Sequence, residues 1–248
     1  MSESAIITEE LTKKYEDITA VDNLNLQIKK GELFGLLGPN VAGKTTTISI
    51  LCGLIKQTSG TAKIFGFDVQ KDIQKVKELI GVCIQETAIY PYLSGAENLE
   101  LFGKLYGMDK KTINERSNML LTKMGLKEDA KRITAKYSGG MKRRLSLSLA
   151  LIHDPQIAFL DEPTVAMDPQ SRHAVWGFIK EQKARSKTII LTTHYMEEAE
   201  ELCDRVGIID HGRLITLGTP AELIARNNVK NLEDVFIQLT GRNMREEL

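Results

Sequence analysis

The chain has 248 residues, with 33 Lys and Arg against 33 Asp and Glu, and 3 Cys. That length can bury a full core without cross-links, a formal charge of zero gives no field to hold nucleic acid or an anionic membrane surface, and scattered cysteines exclude a disulfide or zinc scaffold. No apolar run approaches the roughly 18–20 residues that span a bilayer and no export signal is present, so the expectation is a cytoplasmic protein whose membrane part, if any, is another chain.

Short apolar or alternating runs predict strands over residues 5–11, 20–28 and 32–37. The third leads into Gly38-Pro39-Asn40-Val41-Ala42-Gly43-Lys44-Thr45, which satisfies the G-x-x-x-x-G-K-S/T pattern of a phosphate-binding loop, with a helix expected over 45–54. Gly43 lets the backbone approach phosphates, loop amides and the helix amino terminus point at them, Lys44 reaches the outer phosphates and Thr45 can hold Mg²⁺. A nucleoside triphosphate is therefore the expected ligand. Residues 78–84 read as another buried strand, ending at Gln85. Over 95–126 the period turns helical, with Leu99, Phe102, Leu105 and Tyr106 on one face and Ile113, Met119, Leu120 and Met124 in a second segment. A helix over 139–152, a strand over 157–160, a helix over 169–183, a strand over 188–191 and a helix over 195–202 follow. This alternation argues a parallel sheet covered on both faces. Residues 205–217 read as a hairpin around His211-Gly212, followed by a helical tail from 221.

The strand over 157–160 ends in Asp161-Glu162, where one acid would orient a Mg²⁺ shell and the next would polarise a water aimed at a γ-phosphate. Taken alone, two solvated acids at a strand end are the plainer reading. Ser138-Gly139-Gly140 opens an apolar helix and leaves amides free to face an anion, although Ser138 by itself reads equally as an N-cap. Cys52, Cys83 and Cys203 read as small core residues, and His153, His173 and His211 as surface or capping residues.

The order phosphate loop, Gln85, Ser138-Gly139-Gly140, Asp161-Glu162, Asp168, His194 spans essentially the whole chain and resembles the ATP-binding subunit of ABC transporters. The resemblance implies an α/β fold: a P-loop NTPase core of RecA type, an amino-terminal antiparallel β subdomain and an inserted α-helical subdomain at about 87–150, within a domain of residues 1–220 followed by a helical tail over 221–248. It assigns Gly38 through Thr46 to the nucleotide, Tyr15 to stacking on adenine, Thr45, Gln85 and Asp161 to Mg²⁺, and Glu162, His194 and Gln85 to hydrolysis. It implies further that two subunits, identical or not, sandwich ATP. Ser138, Gly139 and Gly140 of one then face the phosphate loop of the other, with Asp168 in the adjoining D-loop. Binding closes the pair, hydrolysis releases it, and transmembrane permease subunits are carried along, which places the chain on the inner face of a membrane. Tyr137, Arg143-Arg144, Pro163-Thr164-Val165 and Gly212-Arg213-Leu214 to Gly218-Thr219-Pro220, with the tail over 231–248, look like the drug, antibiotic and sodium exporters whose ATPase and membrane subunits are separate chains. The segment 86–93, with Ile89, Tyr90, Pro91 and Tyr92, is either the surface that receives the membrane partner or simply loop packing. No nucleic acid is expected; a soluble ABC-type ATPase on nucleic acid or ribosomes, or a slowly cycling nucleotide-binding module, is the alternative.

Two departures stand out. The family usually has glycine where Val41 stands, and if that position needs φ > 0 a β-branched residue is strained by roughly 1–3 kcal/mol. Ala166-Met167 replaces a common Gly-Leu before Asp168, a mild change.

Overall fold

The computed structural model describes residues 3–85, 88–165 and 167–241, so the expectations resting on Glu86, Ala166 and residues 242–248 lie outside it. β1 (Ser4–Tyr15) and β2 (Ile18–Lys29) form an antiparallel hairpin, and β3 (Leu33–Leu37) leaves it for a second sheet. Beyond the phosphate-loop sequence lies α1 (Lys44–Leu51), shorter than the expected helix because Gly53 turns left-handed at φ 68° and ends it. β4 (Ser59–Ile64) and β5 (Phe67–Asp68) then return to the first sheet, ordered β2-β1-β4-β5. These two strands escape a pattern reading because only Ala62 and Ile64 of β4 are buried. The strand expected over 78–84 is corrected: α2 (Ile73–Leu79) takes its first residues and β6 (Ile80–Cys83) starts later.

The second sheet adds β7 (Ile157–Asp161), β8 (Thr188–Thr192), β9 (Arg205–Asp210) and β10 (Arg213–Gly218) in the order β10-β9-β3-β8-β7-β6, parallel except for the β9–β10 pair. Side chains alternate across it: Leu33, Leu37, Leu160 and Leu191 enter one core, while Phe34, Leu36, Phe159 and Ile190 enter the other. Both faces are buried along β3, β6, β7, β8 and β9, so these strands read as nearly continuous apolar runs, while the edge strand β10 is mostly uncovered. α1 and the antiparallel sheet cover one face. The other carries α3 (Gly95–Leu105), α4 (Lys110–Lys123), α5 (Gly139–Ala150), α6 (Pro169–Ala184) and α7 (Met196–Leu202).

The expected face of α3 is only partly right. Leu99 is buried, but Leu105 is 71% exposed and Tyr106 turns away to stack on His153 with ring centroids 3.6 Å apart. His153 in turn donates from Nε2 to the Ile80 carbonyl at 2.9 Å, and burial lowers its imidazole to about 4. It is a neutral packing residue and not a surface cap.

Among the described residues no helix is long and apolar enough to cross a membrane. At the carboxyl end α8 (Pro220–Asn227) and α9 (Leu232–Thr240) fold back, and α9 returns Leu232, Val235 and Phe236 to the core beside α7. Phe236→Ala should therefore destabilise the fold by about 3–5 kcal/mol, read as a lower urea midpoint; an unchanged midpoint would mean that α9 is not part of the cooperative unit.

Candidate functional site

Because β3, β6, β7 and β8 run parallel, their carboxyl ends share one edge, where open α/β sheets bind ligands. The phosphate loop leaves β3, Gln85 follows β6, Asp161 and Glu162 close β7, and His194 follows β8. They line one cleft of about 620 Å³.

The loop is held by close backbone approaches. A Cβ on Gly38 would lie 2.2 Å from the Ile209 carbonyl oxygen, and one on Gly43, at φ 103°, would lie 2.3 Å from that of Ala20. Only glycine fits either place. The Gly212 amide donates to the Ala42 carbonyl at 3.0 Å, so the β9–β10 turn buttresses the loop. Lys44 is buried and donates from Nζ to the carbonyls of Gly38 at 2.5 Å and Pro39 at 2.9 Å. Val41 has φ 64° and is 97% exposed. The left-handed backbone that disfavours a β-branched residue is therefore present.

The acids are placed by β7 and β8. Asp161 accepts from the Thr192 hydroxyl, and the Glu162 amide donates to the Thr192 carbonyl at 3.0 Å and hydroxyl at 3.2 Å. Glu162 sits at φ 51°, buried, with its Oε1 2.5 Å from His194 Nε2. A left-handed glutamate persists only where its surroundings over-determine it. Behind it Glu198 Oε1 accepts from the Thr164 hydroxyl at 2.8 Å and Trp176 Nε1 at 2.7 Å, tying the loop after Glu162 to α6 and α7. Burial raises that carboxyl above its usual range.

Of the residues expected at the site, Asn40, Val41, Ala42, Gly43, Lys44, Thr45, Thr46, Gln85, Asp161, Glu162 and His194 line the cleft. Gly38 and Pro39 do not line it and accept from Lys44 through their carbonyls. Tyr15, Ser138, Gly139, Gly140 and Asp168 are not brought in. Tyr15 pairs with Ile18 across the β1–β2 hairpin, half exposed, with the Lys13 ammonium 4.7 Å from its ring centre. Ser138 caps α5, its hydroxyl accepting from the Met141 amide at 3.3 Å, and Gly139 and Gly140 form the first turn. Asp168 caps α6, and hydrogen bonds from Ser171 hold its carboxyl below the usual range.

Sequence reasoning missed Ile18, Thr19, Ala20, Val165 and His211, which also line the cleft. The His211-Gly212 turn, with φ 47° and 77°, was legible as a hairpin. Its nearness to the loop depends on β9 pairing with β3.

The profile of a family described as ABC transporter matches residues 21–165. The chain is 44% identical over 238 residues to the linearmycin resistance ATP-binding protein LnrL of Bacillus subtilis (strain 168), covering 96% of this chain and 75% of that protein. It is 40% identical over 244 residues to the doxorubicin resistance ATP-binding protein DrrA of Mycobacterium tuberculosis (strain ATCC 25618 / H37Rv), covering 98% and 72%. Among solved structures it resembles an ATP-binding subunit of an ABC transporter with a TM-score of 0.88 at 26% identity, covering 95% of this chain and 99% of that one. A dimeric ATP-binding cassette in a post-hydrolysis state with ADP and phosphate gives 0.79 at 26% identity, covering 86% and 98%. With its cleft assembled at the carboxyl edge of the parallel sheet, the chain belongs to the ABC transporter family, as an ATP-binding subunit with ATPase activity.

Proposed function

We propose that this subunit hydrolyses ATP between its own phosphate loop and the Ser138 turn of a second ATP-binding subunit, and thereby drives solute export through separate transmembrane subunits on the inner face of a membrane. The observation that carries this reading is the Glu162–His194 contact of 2.5 Å within the cleft that also holds Lys44 and the loop amides. In the reaction water attacks the γ-phosphorus, its proton passes to the Glu162 carboxylate, and the bond to the bridging oxygen breaks to leave ADP and phosphate. His194 fixes the carboxylate's rotamer, and Lys44 supplies a cation to the outer phosphates.

The donor set suits Mg²⁺, since the Thr45 hydroxyl, the Gln85 amide oxygen and the Asp161 carboxylate are all hard oxygens. Among the described residues no three His, Cys, Asp or Glu side chains gather as a metal site, so most of that shell would come from phosphate and water oxygens. Bound there, the ion supplies neutralisation of phosphate charge.

The support for a second subunit is the place of the Ser138 turn. Ser138, Gly139, Gly140 and Asp168 begin α5 and α6 away from the cleft, and a Cβ on Gly139 would meet nothing within 4 Å, so that turn is open to another chain. For the membrane partner the support is a surface held on a rigid frame. Buried Asn98 accepts from the Tyr90 amide at 2.9 Å and donates to the carbonyls of Tyr90, Leu93 and Ser94. Thr134 adds a bond to the Tyr90 carbonyl at 2.9 Å. On that frame Tyr90 is 53% exposed and Tyr92 89%. A fixed backbone presenting exposed aromatics suits protein contact.

Glu162→Gln should retain ATP and lower turnover by about 10² or more, measured by phosphate release beside nucleotide binding; full turnover would place the base elsewhere. Val41→Gly should relieve about 1–3 kcal/mol of backbone strain and raise ATP affinity or turnover, and a titration showing no gain in either removes the idea. Tyr92→Ala should leave turnover of the isolated subunit unchanged while reducing recovery of the complex with its membrane subunit. Undiminished recovery would assign the docking surface to other residues.

A further inference from the structure

Arg143 lies in α5, the helix that opens at Ser138, and is only 3% exposed. Among the described residues its guanidinium makes no ion pair with a carboxylate, and it serves four backbone carbonyls. Nη1 donates to Ile84 and, at 3.1 Å, to Gln85; Nη2 donates to Asp161; Nε donates to Glu162 at 3.1 Å. A buried charge normally needs an opposite charge. Here the fork of donors is satisfied by peptide dipoles drawn from two loops.

Those dipoles belong to the catalytic edge. Glu162 is left-handed, its amide is held by Thr192, and Arg143 holds its carbonyl, so both sides of the strained residue are clamped. The same side chain grips the Gln85 peptide. α5 is itself pressed on β6: a Cβ on Gly81 would lie 2.0 Å from the Ala150 carbonyl oxygen, and Cys83 Sγ lies 3.6 Å from Ser146 Oγ. We infer that Arg143 is a positioning residue for hydrolysis, which makes the Ser138 helix, the Gln85 loop and the Glu162 peptide one mechanical unit. The inference rests on the proposed role of Glu162 as base. Lysine would keep the charge but, with a single nitrogen, cannot span four acceptors on two loops; methionine would keep the stem alone.

The test compares wild type, Arg143→Lys and Arg143→Met in the full chain, each with Glu162→Gln as a second background, by steady-state ATP turnover, nucleotide affinity and thermal melting. The expected result is a kcat lower by about 10- to 100-fold in folded Arg143→Lys and more in Arg143→Met, with KM for ATP little changed and no added loss on top of Glu162→Gln. Wild-type kcat in a folded variant would overturn the inference. So would parallel loss of kcat, affinity and melting temperature in both variants, which would make Arg143 only a fold stabiliser. A wild-type protein that neither binds nor hydrolyses ATP would overturn the functional reading instead, a distinct result.

Discussion

Everything at the cleft depends on the parallel pairing of β3, β8, β7 and β6. Gly35 is level with Leu191, Leu160 with Leu191 and Cys83 with Leu160, so chain segments far apart in sequence end at one edge in register. A one-residue slip would send every side chain of the slipped strand to the opposite core. It would also move the Thr192 hydroxyl from the Asp161 carboxylate. The two hydrophobic cores therefore do more than stabilise the sheet. By fixing register they fix the distances among Lys44, Asp161, Glu162 and His194.

Three of the ten described non-glycine residues with positive φ stand at that edge. Val41, Glu162 and His211 all line the cleft and all have positive φ, at 64°, 51° and 47°. They are supported differently. His211 precedes a glycine in a two-residue hairpin turn, where left-handed backbone is ordinary. Glu162 is clamped by Thr192 and Arg143. Val41 has a side chain almost wholly in solvent and gains nothing from packing, so its strain is opposed only by the closure of the loop around it.

The division between what could be read from the residues and what could not follows the range of the interactions. The phosphate loop and the strand-end acids are contiguous words, legible because one chemistry needs several residue types in a row. The core strands were legible because burial on both faces makes them apolar throughout, whereas β4 buries one face of a short segment and shows little. Helix faces were legible in α4 but not at Leu105 and Tyr106, where α3 is ending and the three-to-four spacing continues past its packing partner. Arg143 was visible as part of the Arg143-Arg144 pair that follows Ser138-Gly139-Gly140, but its burial was not, since an arginine on a helix ordinarily reads as solvated face. Its partners are carbonyls, which no side-chain pattern records.

These long-range bonds change how the cleft should be regarded. A site assembled only from strand ends would respond to the ligand alone. Here the Glu162 peptide is bonded through Arg143 to the helix that opens at Ser138, and to the peptide of Gln85, a few residues before the exposed tyrosines. Separating these peptides would break a charge-assisted hydrogen bond in a buried place, which is costly. On the proposed role of Glu162, the left-handed backbone would make hydrolysis sensitive to both surfaces, because a residue kept in an unfavourable conformation by its surroundings is the one most readily released when they shift.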